Sequence, residues 1–437
     1  MTAFFVKKRD MNDIERIYGL YKEAYTITTD SRNITKGCIF VALKGEHFDG
    51  NDFALKVAEE GIAAGVIADR KDLPKHERLF LVEDSLKCLQ ELAKHHREKV
   101  GLPIIGITGT NGKTTTKELV SAVLSKKYNI LYTQGNFNNQ LGVPLTLLRI
   151  KPDTEMAVVE MGASHPRDID ELTNIGEPNY GIITNIGRAH LEGFGGFEGV
   201  IKTKNEMYQY ISAHDGLLFV NRDNALLMEL SHNINKVTYG NTEKAETKGT
   251  ILSSNPYLSV EWNGHKIDTQ LVGDYNFENV MAAICIGKHF KVNENDIVEA
   301  LSDYRPTNNR SQIIETPNNR VVMDAYNANP TSMSHAIKNF KNICKDDNLL
   351  IIGDMRELGE ESQQEHKMII ELLKELKFEN VYLVGPEFSK CSGNSEFVTF
   401  NNVEELAQFI KNHPVSGFDI LVKGSNSIHL NKIIDSL

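Results

Sequence analysis

The 437-residue chain is short of the features that mark oxidising, membrane or nucleic-acid settings. Its five cysteines, Cys38, Cys88, Cys285, Cys344 and Cys391, are an odd number, widely scattered and never spaced C-x-x-C. That excludes a disulfide framework and a cysteine zinc site, leaving reduced, mostly buried small hydrophobes. No apolar stretch approaches the ~20 residues a membrane helix needs. The N-terminus reaches Lys7-Lys8-Arg9 after only Phe4-Phe5-Val6, too short an apolar run for a secretory signal, so a cytoplasmic protein is expected. Basic residues are outnumbered, 48 Lys+Arg against 59 Asp+Glu for a net charge of −11. The counterion-releasing footprint of a nucleic-acid binder is therefore missing, and an anionic ligand must be held by a local site. There is no fixed-period repeat, no low-complexity segment and no G-x-G-x-x-G after a strand-like run, which argues against a nicotinamide cofactor.

What is present is an ordinary globular balance, 41% hydrophobic and 24% charged, enough to bury several cores. At roughly 150 residues per domain the length suggests about three domains, and the alternation of runs divides the chain accordingly. Residues 1–98 hold short β-branched runs at Cys38–Leu43 and Gly65–Ala68 and end in a charge-rich helix over Asp84–Val100. They are expected to form a smaller N-terminal α/β domain. Residues 99–309 open with the buried strand Leu102–Thr108 and continue with strands at Ala157–Met161, Tyr180–Thr184 and Leu217–Val220, a doubly wound, mostly parallel sheet. Denser strand signals over 250–272 read as an antiparallel addition, followed by a helix over Phe277–Phe290. Residues 310–437 repeat the alternation, with strands at Arg320–Asp324, Asn348–Gly353, Val381–Gly385 and Phe418–Lys423, a Rossmann-like domain.

The strongest local signal is Gly106-Ile-Thr-Gly-Thr-Asn-Gly-Lys-Thr-Thr-Thr, between an apolar strand and a helix carrying Leu119, Val120, Val123 and Leu124. Gly109 and Gly112, with Thr110 and Asn111 between them, let backbone N–H groups curl around phosphate oxygens, and the helix N-terminus adds partial positive charge. Lys113 is placed to reach the β/γ-phosphates, and a hydroxyl of Thr114 or Thr115 to coordinate Mg²⁺. The strict G-x-x-x-x-G-K-[ST] pattern would need glycine where Ile107 stands, so the loop is a variant. ATP or a similar nucleotide is the expected ligand. Glu160 ends one central strand and His190 follows the next, and in an open α/β sheet the C-terminal strand ends line the ligand crevice. An acid beside a phosphate site makes sense with a cation between them, so metal involvement is expected at Glu160 and His190.

Gly106–Thr115, Glu160-Met-Gly-Ala and Asn185-Ile-Gly-Arg-Ala-His-Leu-Glu together resemble the Mur ligase family of bacterial peptidoglycan synthesis, over nearly the whole chain. Gly135-Asn-Phe-Asn-Asn-Gln-Leu-Gly-Val-Pro, Asp324-Ala-Tyr-Asn-Ala-Asn-Pro-Thr-Ser-Met and Gly353-Asp-Met-Arg-Glu-Leu-Gly resemble the branch whose acceptor is D-alanyl-D-alanine. The resemblance implies that ATP phosphorylates the terminal carboxylate of a UDP-N-acetylmuramoyl-tripeptide and that the dipeptide amine attacks the acyl phosphate, most simply on a monomeric enzyme. It implies two Mg²⁺ ions: one held by Thr114 or Thr115 and Glu160, the other helped by His190. A lysine downstream of that histidine is carbamoylated in family members; its counterpart here is Lys204, with Lys202 two positions away.

By the same resemblance Asn276 and Asn279 contact the adenine side, with Tyr275 standing where a histidine is usual, though Asn is also favoured at helix starts. Arg310 meets the nucleotide phosphates when domains close, a role suited to a planar, always-charged fork. Asp324 contacts ribose or adjacent groups, or serves a turn. Tyr326, Asn327 and Asn329 face the dipeptide, although Asn329-Pro330 is also a helix-start pair. Asp30-Ser31-Arg32 resembles the uridine-diphosphate pocket, with Ser31 and Arg32 on the diphosphate and Lys44 to His47 nearby, where a plain surface turn is the alternative. Asn136, Asn138 and Asn139 line the muramoyl-peptide channel. Arg167-Asp168 stands where the family often has Gly-Glu, retaining an acid and adding a cation.

Overall fold

Strand Ile104–Thr108 is buried at every position and pairs in parallel on both sides, as its unbroken apolar run requires of a central strand. The computed structural model describes residues 2–306, 310, 312–393 and 395–437, with side chains from residue 13 onward. Asn308, Asn309 and Ser311, at the expected junction before the C-terminal domain, lie outside the described residues.

The central sheet has seven parallel strands in the order Thr247–Lys248, Lys236–Gly240, Leu217–Asn221, Tyr180–Ile183, Ile104–Thr108, Met156–Glu160, Ile130–Tyr132. The four strands expected here are extended by three, Thr247–Lys248, Lys236–Gly240 and Ile130–Tyr132, which lie toward the sheet's edges. Register sets Glu160 beside Ile107 and Ile183 beside Thr108, so the loop after Thr108, the acid at 160 and the segment after Ile183 emerge at one edge. Helix Lys113–Leu124 buries Leu119, Val120, Val123 and Leu124 in one core with Val280, Met281, Ala283 and Ile284 of helix Phe277–His289. The antiparallel addition is a separate three-stranded sheet of Thr250–Ser253, Tyr257–Trp262 and His265–Val272.

The C-terminal sheet has six strands in the order Gln312–Glu315, Arg320–Asp324, Asp419–Lys423, Asn348–Gly353, Val381–Val384, Val398–Phe400. All pair in parallel except the first, which runs antiparallel along the edge. The N-terminal sheet has four parallel strands, Ile27–Thr28, Ile39–Val41, Gly65–Ala68 and Leu79–Leu81. A helix over Thr2–Ala24, absent from the sequence reading, seats Ile17 and Tyr21 with Leu89 and Leu92 of helix Ser85–Val100. Its apolar stripe is interrupted by charge, and the Tyr21 hydroxyl, which donates to the Leu148 carbonyl at 2.6 Å, ties it to the central domain. No described helix is long and apolar enough to cross a membrane.

Candidate active site

A cleft of about 1050 Å³ opens between the C-terminal edge of the central sheet and the C-terminal domain. Its floor is the phosphate loop. Gly109 (φ 140°) and Gly112 (φ 79°) hold conformations other residues resist, and a Cβ on Gly109 would lie 2.0 Å from Thr184 Oγ1. The loop is pinned by the segment that follows strand Tyr180–Ile183. The N–H of Thr110 donates to the Asn185 carbonyl and that of Asn111 to Asn185 Oδ1, each at 2.9 Å. The Thr184 hydroxyl donates to the Asn111 carbonyl at 2.6 Å, and Gly187 N–H to Thr110 Oγ1 at 2.9 Å.

Lys113 Nζ donates to the carbonyls of Gly109 (2.8 Å) and Thr110 (3.0 Å), folding the cation onto the loop. Burial lowers its pKa from the usual lysine range; Glu160 opposes the shift and Arg310 adds to it. Glu160 is 2% exposed. Its carboxylate accepts from the Thr114 hydroxyl at 3.0 Å and Asn138 Nδ2 at 2.9 Å. Among the described residues no cation is bonded to it. A buried acid beside a hydroxyl at the mouth of a phosphate loop is a hard-oxygen donor set, and Mg²⁺ fits it. Thr115, Asn136 and Asn139 line the same cleft. Asn139 Oδ1 also accepts the Gly142 N–H at 2.8 Å, opening helix Gly142–Leu147.

His190 (φ 53°) turns its imidazole onto the carboxylate of Glu357, a C-terminal-domain residue that is also left-handed (φ 63°). The histidine holds the Glu357 carboxyl below its ordinary pKa. Of the two lysines on helix Phe197–Ala213, Lys202 is exposed and Lys204 is 2% exposed, its Nζ 5.7 Å from the centre of the Phe194 ring. Burial drives the Lys204 pKa well below the lysine range; Lys113 adds to this, while Asp168 and Glu206 oppose it. Lys204 stands behind the cleft lining, whereas Asp168 reaches it.

Across the cleft, the Arg310 guanidinium lies 3.8 Å from the Tyr326 ring centre. Asp324 accepts from the buried Lys423 Nζ at 2.6 Å, and Lys423 reaches the Asn327 carbonyl at 3.3 Å. Asn329 caps helix Pro330–Ile343 and donates to Asn111 Oδ1 at 2.7 Å, so a C-terminal-domain residue touches the phosphate loop directly. Asn276 and Asn279 are buried and bonded together at 2.9 Å, and Asn279 Oδ1 receives the Thr116 hydroxyl at 3.0 Å. They brace the loop's helix from the cleft wall. Ser31 and Arg32 stand apart from this cleft, with Arg32 paired to Asp30 at 2.9 and 3.0 Å on the surface.

Three family models match: "Mur ligase family, catalytic domain" over residues 23–97, "Mur ligase middle domain" over 107–287 and "Mur ligase, glutamate ligase domain" over 309–426. The chain belongs to the Mur ligase family. The UDP-N-acetylmuramoyl-tripeptide–D-alanyl-D-alanine ligase of Bacillus subtilis is 33% identical, the match covering 94% of this chain and 92% of the relative. A MurF crystal structure from Acinetobacter baumannii superposes with a TM-score of 0.84 at 31% identity, covering 94% of this chain and 93% of that one. The MurF ligase of Thermotoga maritima in complex with ADP gives 0.82 at 27% identity, covering 94% and 96%.

Several residues at the cleft escaped the sequence reading. Asn185 and Glu357 lie within quoted strings, yet only the pairing of their loops gives them partners. Lys423 ends its strand beside Asp324 in register, a neighbour relation between residues 99 apart in sequence.

Proposed function

We propose that this protein joins D-alanyl-D-alanine to UDP-N-acetylmuramoyl-tripeptide, cleaving ATP to ADP and phosphate, in the cytoplasmic assembly of peptidoglycan precursors. The observation that carries this reading is one cleft in which a glycine-cradled loop, a buried acid and residues of the C-terminal domain meet. The relatives' names supply the substrates. Residues 1–98 take the uridine nucleotide, with Ser31 and Arg32 on its diphosphate. Residues 99–309 take ATP, and residues 310–437 take the dipeptide beside Tyr326, Asn327 and Asn329.

The tripeptide carboxylate oxygen attacks the γ-phosphorus, the bond to the β–γ bridging oxygen breaks, and ADP leaves. The dipeptide amine then attacks the acyl carbon, the bond to the phosphate oxygen breaks, and the amine's proton is released as the amide forms. Both steps bring anions together, so positioning and charge compensation do most of the work. Lys113 swings from its loop carbonyls to the phosphates, and Arg310 leaves Tyr326 to join it. Asn136, Asn138 and Asn139 line the path of the peptide arm, while Asn276, Asn279 and Asp324 frame the nucleoside end. Thr114 and Thr115 with Glu160 would hold one Mg²⁺, and His190 with Lys204 a second; bound there, the ions neutralise phosphate charge. Burial shifts Lys204 toward its neutral amine, the form whose nitrogen can bond the carbon of carbon dioxide, releasing a proton to leave an anionic carbamate.

Phosphate release measured with tripeptide precursor, dipeptide, ATP or Mg²⁺ omitted in turn tests the reading. Turnover should require all four; turnover indifferent to the dipeptide would refute it.

A further inference from the structure

The central and C-terminal domains are joined near the cleft by contacts of two kinds. Asn111–Asn329 and His190–Glu357 use groups assigned to the ligands, so in the proposed reaction these contacts would be exchanged as substrates bind. Arg188 is different. It does not line the cleft. Its Nε donates to Glu365 Oε1 at 3.0 Å and its Nη2 to Glu361, two acids of the C-terminal domain, and its backbone N–H approaches Thr331 Oγ1 at 3.4 Å. The Glu365 side chain is 6% exposed, against 45% for Arg188, and among the described residues no other group bonds its carboxylate.

A carboxylate left buried without its counter-charge is costly, whereas the same carboxylate in an opened cleft is hydrated. The ion pair therefore favours the domain arrangement in which these elements meet over one in which they are parted. Arg188 also sits inside the segment whose Asn185 and Gly187 hold the phosphate loop and whose His190 faces the reacting side.

We infer that Arg188 is a positioning residue, a clamp to Glu361 and Glu365 that holds the C-terminal domain closed and sets the Asn185–His190 segment through turnover. The inference rests on the ligase reading for its kinetics but not for its conformational readout. In Arg188→Ala, kcat should fall about fivefold while ADP affinity stays within about twofold, the scale of a half-exposed pair joined to two acids. Small-angle scattering of the nucleotide-bound enzyme should show a larger radius of gyration than wild type. Arg188→Lys should recover part of both. Glu365→Gln combined with Arg188→Ala should be no worse than Arg188→Ala alone, the non-additivity expected of one interaction. Should Arg188→Ala prove unstable, Glu361→Gln/Glu365→Gln removes the clamp from the other domain. Unchanged scattering together with unchanged kcat, or fully additive losses, would overturn the clamp. A scattering change in an enzyme that ligates nothing would leave the clamp standing and refute the ligase reading alone.

Discussion

Around the phosphate loop almost every polar side chain already has a protein partner: Lys113 on two carbonyls, Glu160 on Thr114 and Asn138, Asn329 on Asn111. At Ser31-Arg32 the arginine is 88% exposed on its side chain and, among the described residues, pairs only with Asp30. The phosphate-loop side is thus internally bonded, and in the proposed reaction Lys113 and Arg310 would exchange their protein partners for phosphate. On the side proposed for the uridine nucleotide, the arginine would exchange Asp30 for a diphosphate, and water screens both pairings. Pre-ordering places charge where it changes during reaction; the exposed arginine can contribute binding alone.

Substitutions that separate the two regions follow in descending order. Lys113→Ala should lower kcat by on the order of 10²–10³-fold, as for loss of one donor to developing negative charge, with little change in KM for the UDP substrate. Steady-state kinetics with both substrates varied check this. Glu160→Gln keeps the side chain's shape but removes the anion and one of the two accepting oxygens. It should lower kcat by about 10²-fold, the scale of disturbing a metal's surroundings, and raise the Mg²⁺ needed for half-activity, read by titrating Mg²⁺ against activity. Arg32→Ala should instead raise KM for the UDP substrate by up to about tenfold, leaving kcat and the Mg²⁺ requirement near wild type. A kcat effect of Arg32→Ala equal to that of Lys113→Ala would erase the contrast between the regions.

The smallest effect concerns Lys204. Its folded pKa lies well below the usual 10.5, so between those values the unfolded chain binds the extra proton and stability rises with pH. Relative to Lys204→Met, the wild-type melting temperature should therefore climb as pH rises through that window, recorded by thermal unfolding at matched ionic strength. A difference that stays flat with pH would mean that Lys204 remains charged in the fold.

How far the sequence carried the site follows from what each residue depends on. Gly109, Gly112 and Lys113 are legible because a strand, a turn and a helix in immediate succession set their geometry. Glu160 is legible because strand ends face one crevice. Lys204 is singled out over Lys202 by the family resemblance alone; what the residues themselves do not show is that Lys204 is buried and Lys202 exposed on the same helix. Asn329 is a helix cap, as its Asn-Pro pair suggests, and the same amide that caps Pro330–Ile343 with its oxygen meets Asn111 with its nitrogen, a contact no local pattern announces. Lys423, Glu357 and Arg188 were not legible: each acquires its meaning from a partner in a distant strand or another domain. The helix Thr2–Ala24 was hidden for a related reason, its apolar stripe being completed only against Leu89 and Leu92.

The central claim is that the tripeptide carboxylate itself attacks ATP. Ligation run with ¹⁸O in the terminal carboxylate of the tripeptide, followed by mass spectrometry of the released phosphate, tests it directly. An acyl phosphate transfers one labelled oxygen to each phosphate formed, in proportion to pentapeptide product. Unlabelled phosphate accompanying full ligation would contradict the account.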